Sequence, residues 1–473
     1  MNYVGLVGRK DEYQILEKSY KSSLSQLIII YGRRRVGKTF LVNQSFENKF
    51  AFKITGVYKQ NKNTQLANFS IELSRADNKE HDVFKNWSSA FSALKKYLDS
   101  LDEKEKQVVF FDEMPWLDNK KSDFFSAFEF FWNNYGCAKN NLLFIVAGSS
   151  SSWITNKLIN NKGGFFNRHS ARLYLEPFSL KETKEYLVKQ NIHWSNYDIA
   201  QCYMVMGGIP FYLSQIDSSK TLSDNIDYMF FKKHGLLWDE FSRLYGTLFN
   251  NDLKYINIVE VLSKNRYGLS KSEIASKCKL SSNGDLTHLL QNLIDSGFII
   301  KNTSYSERKG EIYQLSDFYT LFYFEFIKDN YGKNENFWNN SFDLPKRRTW
   351  LGFSFELLCK MHLKEIRDAL SIGGINSTYY SYNKKGNDEN KGCQIDLVID
   401  RRDNVASIIE IKYSINEFEI TKDYQEDLRN KIAVFEGNNP RKSIQMVLIT
   451  TYGLKMNMYS NIINKVLTIN DLL

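Results

Sequence analysis

The sequence predicts three consecutive parts, of which the first is an α/β part built on a parallel sheet. Up to residue 219, short runs of β-branched and aromatic residues alternate with longer helical stretches, a pattern typical of such a sheet. Residues 220–335 show three helical periodicities followed by two strand-like runs. Residues 344–473 begin with a long helical pattern and then become rich in strands. A chain of 473 residues suits this division, since domains average about 100–200 residues.

Composition narrows the class of protein. Hydrophobic residues make up 42% of the chain, and 34 Phe, 28 Tyr and 8 Trp supply ample core material, which excludes a mainly disordered protein. Five scattered cysteines indicate neither a disulfide framework nor a zinc site. No apolar run approaches the ~18 residues of a membrane helix, and the first residues lack the apolar segment of a signal peptide. We therefore expect a cytoplasmic protein without a membrane partner, whose net charge of +9 permits nucleic-acid binding without indicating it.

The first part contains four candidate strands and a helical tail that begins near Pro177. Ligands of a parallel sheet bind outside the carboxyl ends of its strands, so the residues that follow each strand are the first site candidates. The predicted strands are Leu27–Tyr31, Val108–Phe111, Leu142–Ala147 and Arg172–Leu175.

The strongest motif follows the first strand and opens a predicted helix. Gly32 and Gly37 are spaced as in the phosphate-binding loop GxxxxGK[ST], where glycines let the backbone N–H groups face phosphate oxygens. Lys38 is expected to reach the β- and γ-phosphates, and the Thr39 hydroxyl is expected to ligate Mg²⁺. The motif therefore predicts ATP and Mg²⁺ as cofactors. The arginines of the loop raise its positive potential unless they face solvent. The expected binding residues here are Gly32, Arg33, Arg34, Arg35, Val36, Gly37, Lys38, Thr39 and Phe40.

A second element agrees with this site. The apolar strand Val108–Phe111 is followed directly by Asp112 and Glu113. In a buried parallel strand, acidic residues are expected only at the carboxyl end, where ligands bind. Asp112 is expected to hold the Mg²⁺ shell, while Glu113 is expected to polarise the attacking water. The alternative is an ordinary acidic turn after a strand.

Two further residues are weaker candidates. Ser149 follows the strand Leu142–Ala147 after one glycine and is placed to sense a γ-phosphate, although Gly-Ser is also a common turn. Arg168 follows a glycine-containing segment. An arginine that approaches a γ-phosphate stabilises charge in the transition state, and a surface arginine is the equal alternative.

Two shorter motifs, Val7–Glu12 and Gly207–Pro210, complete a pattern. With the phosphate loop and the acid-ended strand, they resemble the prokaryotic AAA-like P-loop NTPases of the signal-transduction (STAND) type. The resemblance covers about the first half of the chain and implies an ATP-driven switch. It also implies that Gly8 and Arg9 lie near the nucleotide base, and that the turn ending in Pro210 couples a helical subdomain to the nucleotide. A helix-ending turn is the alternative interpretation of this second motif.

The second part matches a winged helix-turn-helix. Helical periodicity in YINIVEVLSKN, SKSEIASKCKL and GDLTHLLQNLIDSG precedes the strand-like runs FIIKNT and EIYQL. The predicted recognition helix, Asp285–Ser296, is not basic, whereas a DNA reader usually places Arg or Lys there. A domain that relays the state of the ATPase is therefore favoured over DNA binding.

The third part carries charged residues on a predicted hairpin. Folding Gln394–Asp400 against Val405–Tyr413 places Asp396 opposite or next to Glu410, and Lys412 shares the face of Glu410. Paired carboxylates repel each other unless a cation joins them, which predicts Mg²⁺ held by Asp396 and Glu410. Lys412 would orient water or neutralise charge. A solvated hairpin with a Glu–Lys pair is the alternative.

This arrangement resembles the PD-(D/E)XK nuclease superfamily, which has a small restriction-endonuclease-like α/β fold. The resemblance implies that Glu356, in the preceding helix, is the upstream acid. Ile395 stands where many members have a proline before the aspartate, a position that varies across the superfamily.

The leading hypothesis is an ATPase switch, coupled through the winged helix to a Mg²⁺-dependent nuclease-like domain that acts on DNA or RNA. A third domain that only binds nucleic acid or a protein partner is the first alternative, and a DNA-binding regulator acting through the winged helix is the second. A homo-oligomer is expected if an arginine is supplied by a second subunit. The predicted domains are 1–219, 220–335 and 344–473. The predicted catalytic residues are Lys38, Glu113, Arg168, Glu356, Asp396, Glu410 and Lys412.

Overall fold

The computed structural model describes residues 1, 5–119, 122–149, 151–161, 163–165, 167–249, 252–304, 310–386 and 392–473. The chain divides into two units. The first comprises Met1–Pro177, Gly246–Asn250 and Gln291–Gly297, and the second comprises Phe178–Tyr245, Asn251–Leu290 and Phe298–Leu473. The helical residues 178–219, which the sequence analysis assigns to the first domain, group with the second unit.

The first unit is built on a sheet of parallel strands, as the sequence predicts. The strand order is β2-β3-β4-β1-β5, and all neighbours in this order run parallel. Since β3 and β4 are buried along their whole length, they appear in the sequence as continuous apolar runs. The short β2 gives no such run and is not predicted. The strands are β1 (Gln26–Gly32), β2 (Phe52–Thr55), β3 (Gln107–Asp112), β4 (Leu142–Gly148) and β5 (Ala171–Leu175).

Helices pack on this sheet around an aromatic core. Phe91 of one helix stacks on Phe111 of β3 with ring centroids 5.9 Å apart, and Phe144 of β4 meets Phe111 at 4.9 Å. This packing fixes β3, and with it the two acids at its end. The helices are α1 (Lys10–Lys21), α2 (Lys38–Ser45), α3 (Lys62–Asp77), α4 (Trp87–Asp99), α5 (Phe124–Asn134) and α6 (Ser151–Ile154).

In the second unit, buried polar groups join helices that are distant in sequence. The Asp227 carboxylate accepts a hydrogen bond from Trp338 N (2.7 Å), and Arg347 donates to Trp338 O (2.7 Å). Leu180 N donates to Nε2 of the buried His362 (2.9 Å). The last residues of α11 and α14 belong to the first unit. The helices are α7 (Leu180–Lys189), α8 (Asn196–Met206), α9 (Pro210–Leu213), α10 (Leu222–Ile226), α11 (Glu240–Leu248), α12 (Asp252–Ser263), α13 (Lys271–Cys278), α14 (Gly284–Asp295), α15 (Phe318–Phe322), α16 (Phe337–Asn340), α17 (Pro345–Met361), α18 (Leu363–Ala369) and α19 (Lys422–Asn438).

Helices α12, α13 and α14 precede a hairpin, in the order that the sequence predicts. The hairpin strands are antiparallel, and a short strand adds to one side in the order β6-β8-β7. The turn predicted between the hairpin strands includes residues 305–309, which lie outside the described residues. The strands are β6 (Leu269–Ser270), β7 (Ile299–Ser304) and β8 (Gly310–Leu315).

The C-terminal residues form a mixed sheet in the order β15-β13-β11-β10-β9. β10 is antiparallel to β9 and β11, whereas β13 is parallel to β11 and β15. α17 precedes this sheet in the chain, and α19 connects β11 to β13. The strands are β9 (Ser377–Lys384), β10 (Cys393–Arg401), β11 (Val405–Lys412), β13 (Ser443–Thr450) and β15 (Lys465–Thr468), with a separate pair β12 (Phe418–Glu419) and β14 (Leu454–Lys455).

Among the described residues, no helix is both long enough and apolar enough to span a membrane.

Candidate functional site

The loop between β1 and α2 has the backbone that the glycine motif requires. Gly32 has a φ of 139°, and a Cβ at this position would lie 2.4 Å from Leu175 O, so no larger residue fits. Gly37, with a φ of 92°, precedes α2 and brings no side chain to cap its first N–H groups. Those N–H groups and the positive end of the helix form an arrangement that binds phosphate.

Lys38 lies buried inside this loop. Its Nζ donates to Gly32 O (3.1 Å) and Arg33 O (2.9 Å). Burial lowers the pKa of Lys38 to about 8, although the carboxylates of Glu113 and Asp112 oppose the change. A charged donor therefore contacts two neutral carbonyl oxygens, which a triphosphate would outcompete as an acceptor.

Thr39 and Asp112 meet at the carboxyl end of β3. Thr39 Oγ1 donates to Asp112 Oδ2 (2.8 Å), and Glu113 N donates to Asp112 Oδ1 (3.1 Å). Burial raises the pKa of Asp112, and the neighbouring Glu113 adds to the increase. A hydroxyl and a carboxylate with little solvent around them are oxygen ligands of the kind that Mg²⁺ prefers. The donor set therefore fits the predicted cation.

Glu113 and Ser149 form the next contact along the sheet edge. Ser149 N donates to Glu113 Oε2 (3.1 Å), and Ser149 Oγ donates to Glu113 Oε1 (2.7 Å). Glu113 has a left-handed backbone with a φ of 45°, which starts the short turn Met114–Trp116. Trp116, the last residue of that turn, packs against Tyr58 with ring centroids 5.5 Å apart. Ser149, which is predicted to sense the γ-phosphate, thus holds Glu113, which is predicted to polarise water.

Arg9 connects the N-terminal motif to the phosphate loop. Its Nη2 donates to Val36 O (3.2 Å) inside the loop and to Glu176 O (2.6 Å) just after β5. Gly8 and Arg9 both have positive φ angles, of 59° and 57°. The Val-Gly-Arg segment is therefore attached to the loop by backbone acceptors.

The remaining predicted residues differ in exposure. Arg33 is buried at 1% exposure, Arg34 and Arg35 are half-buried, and Phe40 is 58% exposed. Arg168 is exposed in the segment before β5. Pro210 begins α9 in the second unit, after Gly207 and Gly208 with positive φ angles.

A second group of acids lies on β10, β11 and α17. The hairpin register pairs Leu397 with Ile409, one position from Asp396 and Glu410, and Ile411 N donates to Asp396 Oδ2 (3.0 Å). Burial raises the pKa of the fully buried Glu410, and Asp396 adds to the increase. Burial and Asp396 also raise the pKa of Glu356, despite the opposing effect of Lys360. We call Glu356, Asp396 and Glu410 the acidic cluster.

Lysines balance the charge of this cluster. Glu410 has Lys431 Nζ at 2.9 Å and Lys412 Nζ at 3.6 Å, and it also accepts a hydrogen bond from Tyr424 OH (3.2 Å). Burial alone would lower the pKa of Lys431, but Glu410 outweighs it and the pKa is raised. Lys360 Nζ lies 2.6 Å from Glu356 Oε1.

Sequence analysis missed Lys360, Tyr424 and Lys431. Lys360 follows Glu356 at i+4, a spacing that indicates a helical ion pair, and this signal was available. Tyr424 and Lys431 reach Glu410 only through the packing of α19, for which the sequence offers no local signal.

A divalent cation at the acidic cluster would have Asp396 and Glu410 as ligands. In the described residues, no group of three or more His, Cys, Asp or Glu is arranged to hold a metal ion. Mg²⁺ usually keeps several waters and binds one or two carboxylates, so two suffice in number. The ammonium groups of Lys431 and Lys412, at 2.9 and 3.6 Å from Glu410, would compete with Mg²⁺ for the Glu410 carboxylate.

The loop, the buried Lys38 and the Thr39–Asp112 pair on a parallel sheet define a P-loop ATPase. Residues 6–216 match the family described as an ATPase domain predominantly from Archaea.

Similarity to a relative and to solved structures covers more of the chain than residues 6–216. An uncharacterized protein of Methanocaldococcus jannaschii is 26% identical over 430 residues, which cover 89% of this chain and 90% of that protein. A Walker-type ATPase of Pyrococcus abyssi is 18% identical with a TM-score of 0.46, covering 67% of this chain and 96% of that chain. A STAND protein of Pyrococcus horikoshii with a tetratricopeptide repeat sensor is 16% identical with a TM-score of 0.30, covering 78% of this chain and 52% of that chain.

Proposed function

We propose that the chain is an ATP-driven switch whose residues 344–473 form a Mg²⁺-dependent nuclease-like domain that acts on nucleic acid. The intervening residues 220–335 would be a winged helix, and residues 1–219 the ATPase domain. The observation that carries the nuclease proposal is the hairpin register that brings Asp396 of β10 next to Glu410 of β11, with Glu356 of α17 near enough to Asp396 for their charges to interact.

The switch would begin at the phosphate loop. A triphosphate would take the Lys38 ammonium from the carbonyls of Gly32 and Arg33, because a charged acceptor forms the stronger hydrogen bond. Mg²⁺ would be held by Thr39 and Asp112, and when bound it would neutralise charge on the phosphates. To orient water, Glu113 would have to break its hydrogen bonds with Ser149. The contact between Glu113 and Ser149 therefore corresponds to a state that does not hydrolyse ATP.

Arg168 supports an oligomeric form of this ATPase. Its side chain is exposed on the segment before β5, where a second copy can reach it. An arginine supplied by a neighbouring subunit would stabilise the charge of the transition state.

In the C-terminal domain, Asp396 and Glu410 would hold Mg²⁺, which supplies an activated water when bound. Lys412, at 3.6 Å from Glu410 and one-third exposed, would orient that water or neutralise the phosphate. The order α17–β9–β10–β11–α19–β13, with a helix before the hairpin and a further strand after it, agrees with the resemblance to the nuclease superfamily and supports the proposal.

The test is cleavage of single-stranded and duplex DNA and RNA by the full-length protein with Mg²⁺. Asp396→Ala should abolish cleavage, because it removes a metal ligand and the acceptor for Ile411 N. Asp403→Ala, at an exposed turn of the same hairpin, is the matched control and should leave the rate unchanged. Cleavage that persists in Asp396→Ala would show a contaminant or another site.

A non-cleaving domain that only binds nucleic acid or a protein partner is the second candidate. It is favoured by the ion pairs of Glu410 with Lys412 and Lys431, which balance its charge without a metal. Calorimetric titration of Mg²⁺ into the full chain carrying Thr39→Ala and Asp112→Asn, which removes the two residues that would hold Mg²⁺ at the phosphate loop, would separate the two. Mg²⁺ binding that Glu410→Gln removes supports the nuclease.

A further inference from the structure

A turn of the second unit lies over one side of the acidic cluster. Residues 265–268, which we call the covering turn, connect α12 to β6. A hydrogen bond of 2.8 Å closes its ends, and a Cβ at Gly268 would lie 2.5 Å from Ile312 Cγ2. Gln314 Nε2 donates to Arg266 O (2.7 Å). The covering turn is therefore fixed by β8 in one conformation.

Arg266 attaches the covering turn to α17. Its guanidinium carbon lies 4.0 Å from the centroid of the Phe353 ring, and its Nη2 lies 3.3 Å from Glu325 Oε2. Tyr267 meets the Phe353 ring edge-on, with centroids 6.0 Å apart. A cation–π contact, an ion pair and an aromatic pair thus act together at one point.

Tyr267 brings the covering turn to the acids themselves. Its phenol is hydrogen-bonded to Gln394, two residues before Asp396. Tyr267 also lines the same small cavity as Glu356.

Only a small space remains beneath the covering turn. A cavity of about 40 Å³ is lined in part by Arg266, Tyr267, Ser354, Glu356 and Lys360. One water needs about 10–15 Å³ of such volume, so the cavity holds about three or four waters and no nucleotide. The space between the covering turn and Glu356 is therefore too small for a polynucleotide.

We propose that the covering turn is an autoinhibitory contact, which shields the Glu356–Asp396 side of the acidic cluster until it separates from α17. This inference depends on the proposed nuclease function of the cluster. Nucleic acid would then be cleaved only by molecules in which Arg266 and Tyr267 have left Phe353.

The first measurement is DNA cleavage by the full-length protein carrying Arg266→Ala and Tyr267→Ala together. We expect cleavage at least 5-fold faster than in the parent, and abolished when Asp396→Ala is added. The matched control is Lys264→Ala, two residues before Arg266, whose exposed side chain pairs with Glu260; this variant should leave the rate unchanged.

The second measurement does not depend on cleavage. Ser354 lines the cavity and is buried, and Cys137 is the exposed cysteine of the described residues. In a Cys137→Ser background, a maleimide should label Ser354→Cys at least 5-fold faster once Arg266 and Tyr267 are alanine. Thermal unfolding of each variant verifies that labelling does not report a loss of the fold.

The outcomes separate the two proposals. Faster labelling without cleavage in any variant would support the shield and reject the nuclease. Asp396-dependent cleavage that is equal or slower in the double variant would reject autoinhibition and retain the nuclease. Unchanged labelling in a folded double variant would also overturn the shield.

Discussion

Two acid pairs, one at the end of β3 and one on the β10–β11 hairpin, differ in what balances their charge. Asp112 and Glu113 accept hydrogen bonds from the hydroxyls of Thr39 and Ser149. Glu410 instead contacts the ammonium groups of Lys412 and Lys431.

This difference indicates how readily each pair accepts a ligand. Neutral hydroxyl and backbone N–H partners are exchanged at little electrostatic cost, whereas a buried ion pair must be broken before a cation replaces the lysine. The first pair is therefore arranged for Mg²⁺ and phosphate, and the second requires a rearrangement first. Apolar strands that end in acids look alike in sequence, and the groups that contact the acids determine how readily a cation can bind.

The largest expected effect comes from Lys38→Ala. Removing the buried ammonium should lower kcat/KM for ATP hydrolysis by about 100-fold or more, since one donor to a transition-state anion contributes about that much. Phosphate release and ATP binding measured in parallel would check it. Lys49→Ala, an exposed lysine in the same unit, is the control, and full activity of Lys38→Ala would reject the nucleotide site.

The comparison itself is tested by Glu410→Gln and Asp112→Asn. Glu410→Gln should destabilise its unit by about 3 kcal/mol, because the buried Lys431 loses its main partner. Asp112→Asn should cost little or stabilise, because Thr39 is neutral and the repulsion with Glu113 is relieved. Thermal unfolding measures both, and adding Lys431→Met to Glu410→Gln should restore stability. Equal losses in the two single variants would contradict the comparison.

A smaller effect is expected in the pH dependence of ATP binding. The pKa of Lys38 is lowered to about 8, and bound phosphates would raise it, so binding above pH 8 takes up a proton. The affinity should be flat below pH 7 and fall by up to about tenfold per pH unit above 8. Calorimetry in buffers of different ionisation enthalpy would detect the proton, and Lys38→Arg should bind independently of pH. An unchanged affinity at pH 9 would contradict it.

Much of the first sheet could be predicted because buried parallel strands are apolar over their whole length. The prediction Leu27–Tyr31 falls within β1, and Leu142–Ala147 falls within β4. The four residues of β2 are too few to give a pattern. The phosphate loop is a short continuous motif, and so is the strand that ends in two acids, so each can be identified from the sequence. The structure brings Thr39 of the first motif and Asp112 of the second together.

The partners of Glu410 could not be predicted in the same way. Lys431 is 21 positions away on α19, and its contact depends on how that helix packs on the sheet. Likewise, the contact between Arg9 and Glu176 O spans 167 positions. Such pairs depend on tertiary packing, which leaves no periodic signal in one sequence.

The short turn after Glu113 has an optical consequence. Trp116 is three residues from the acid predicted to act on water, and its indole packs on Tyr58. Any movement of Glu113 away from Ser149 would pull on this turn and alter the surroundings of the indole. Trp116 is therefore an intrinsic fluorophore at the sheet edge, and we expect its emission to change when a nucleotide moves Glu113.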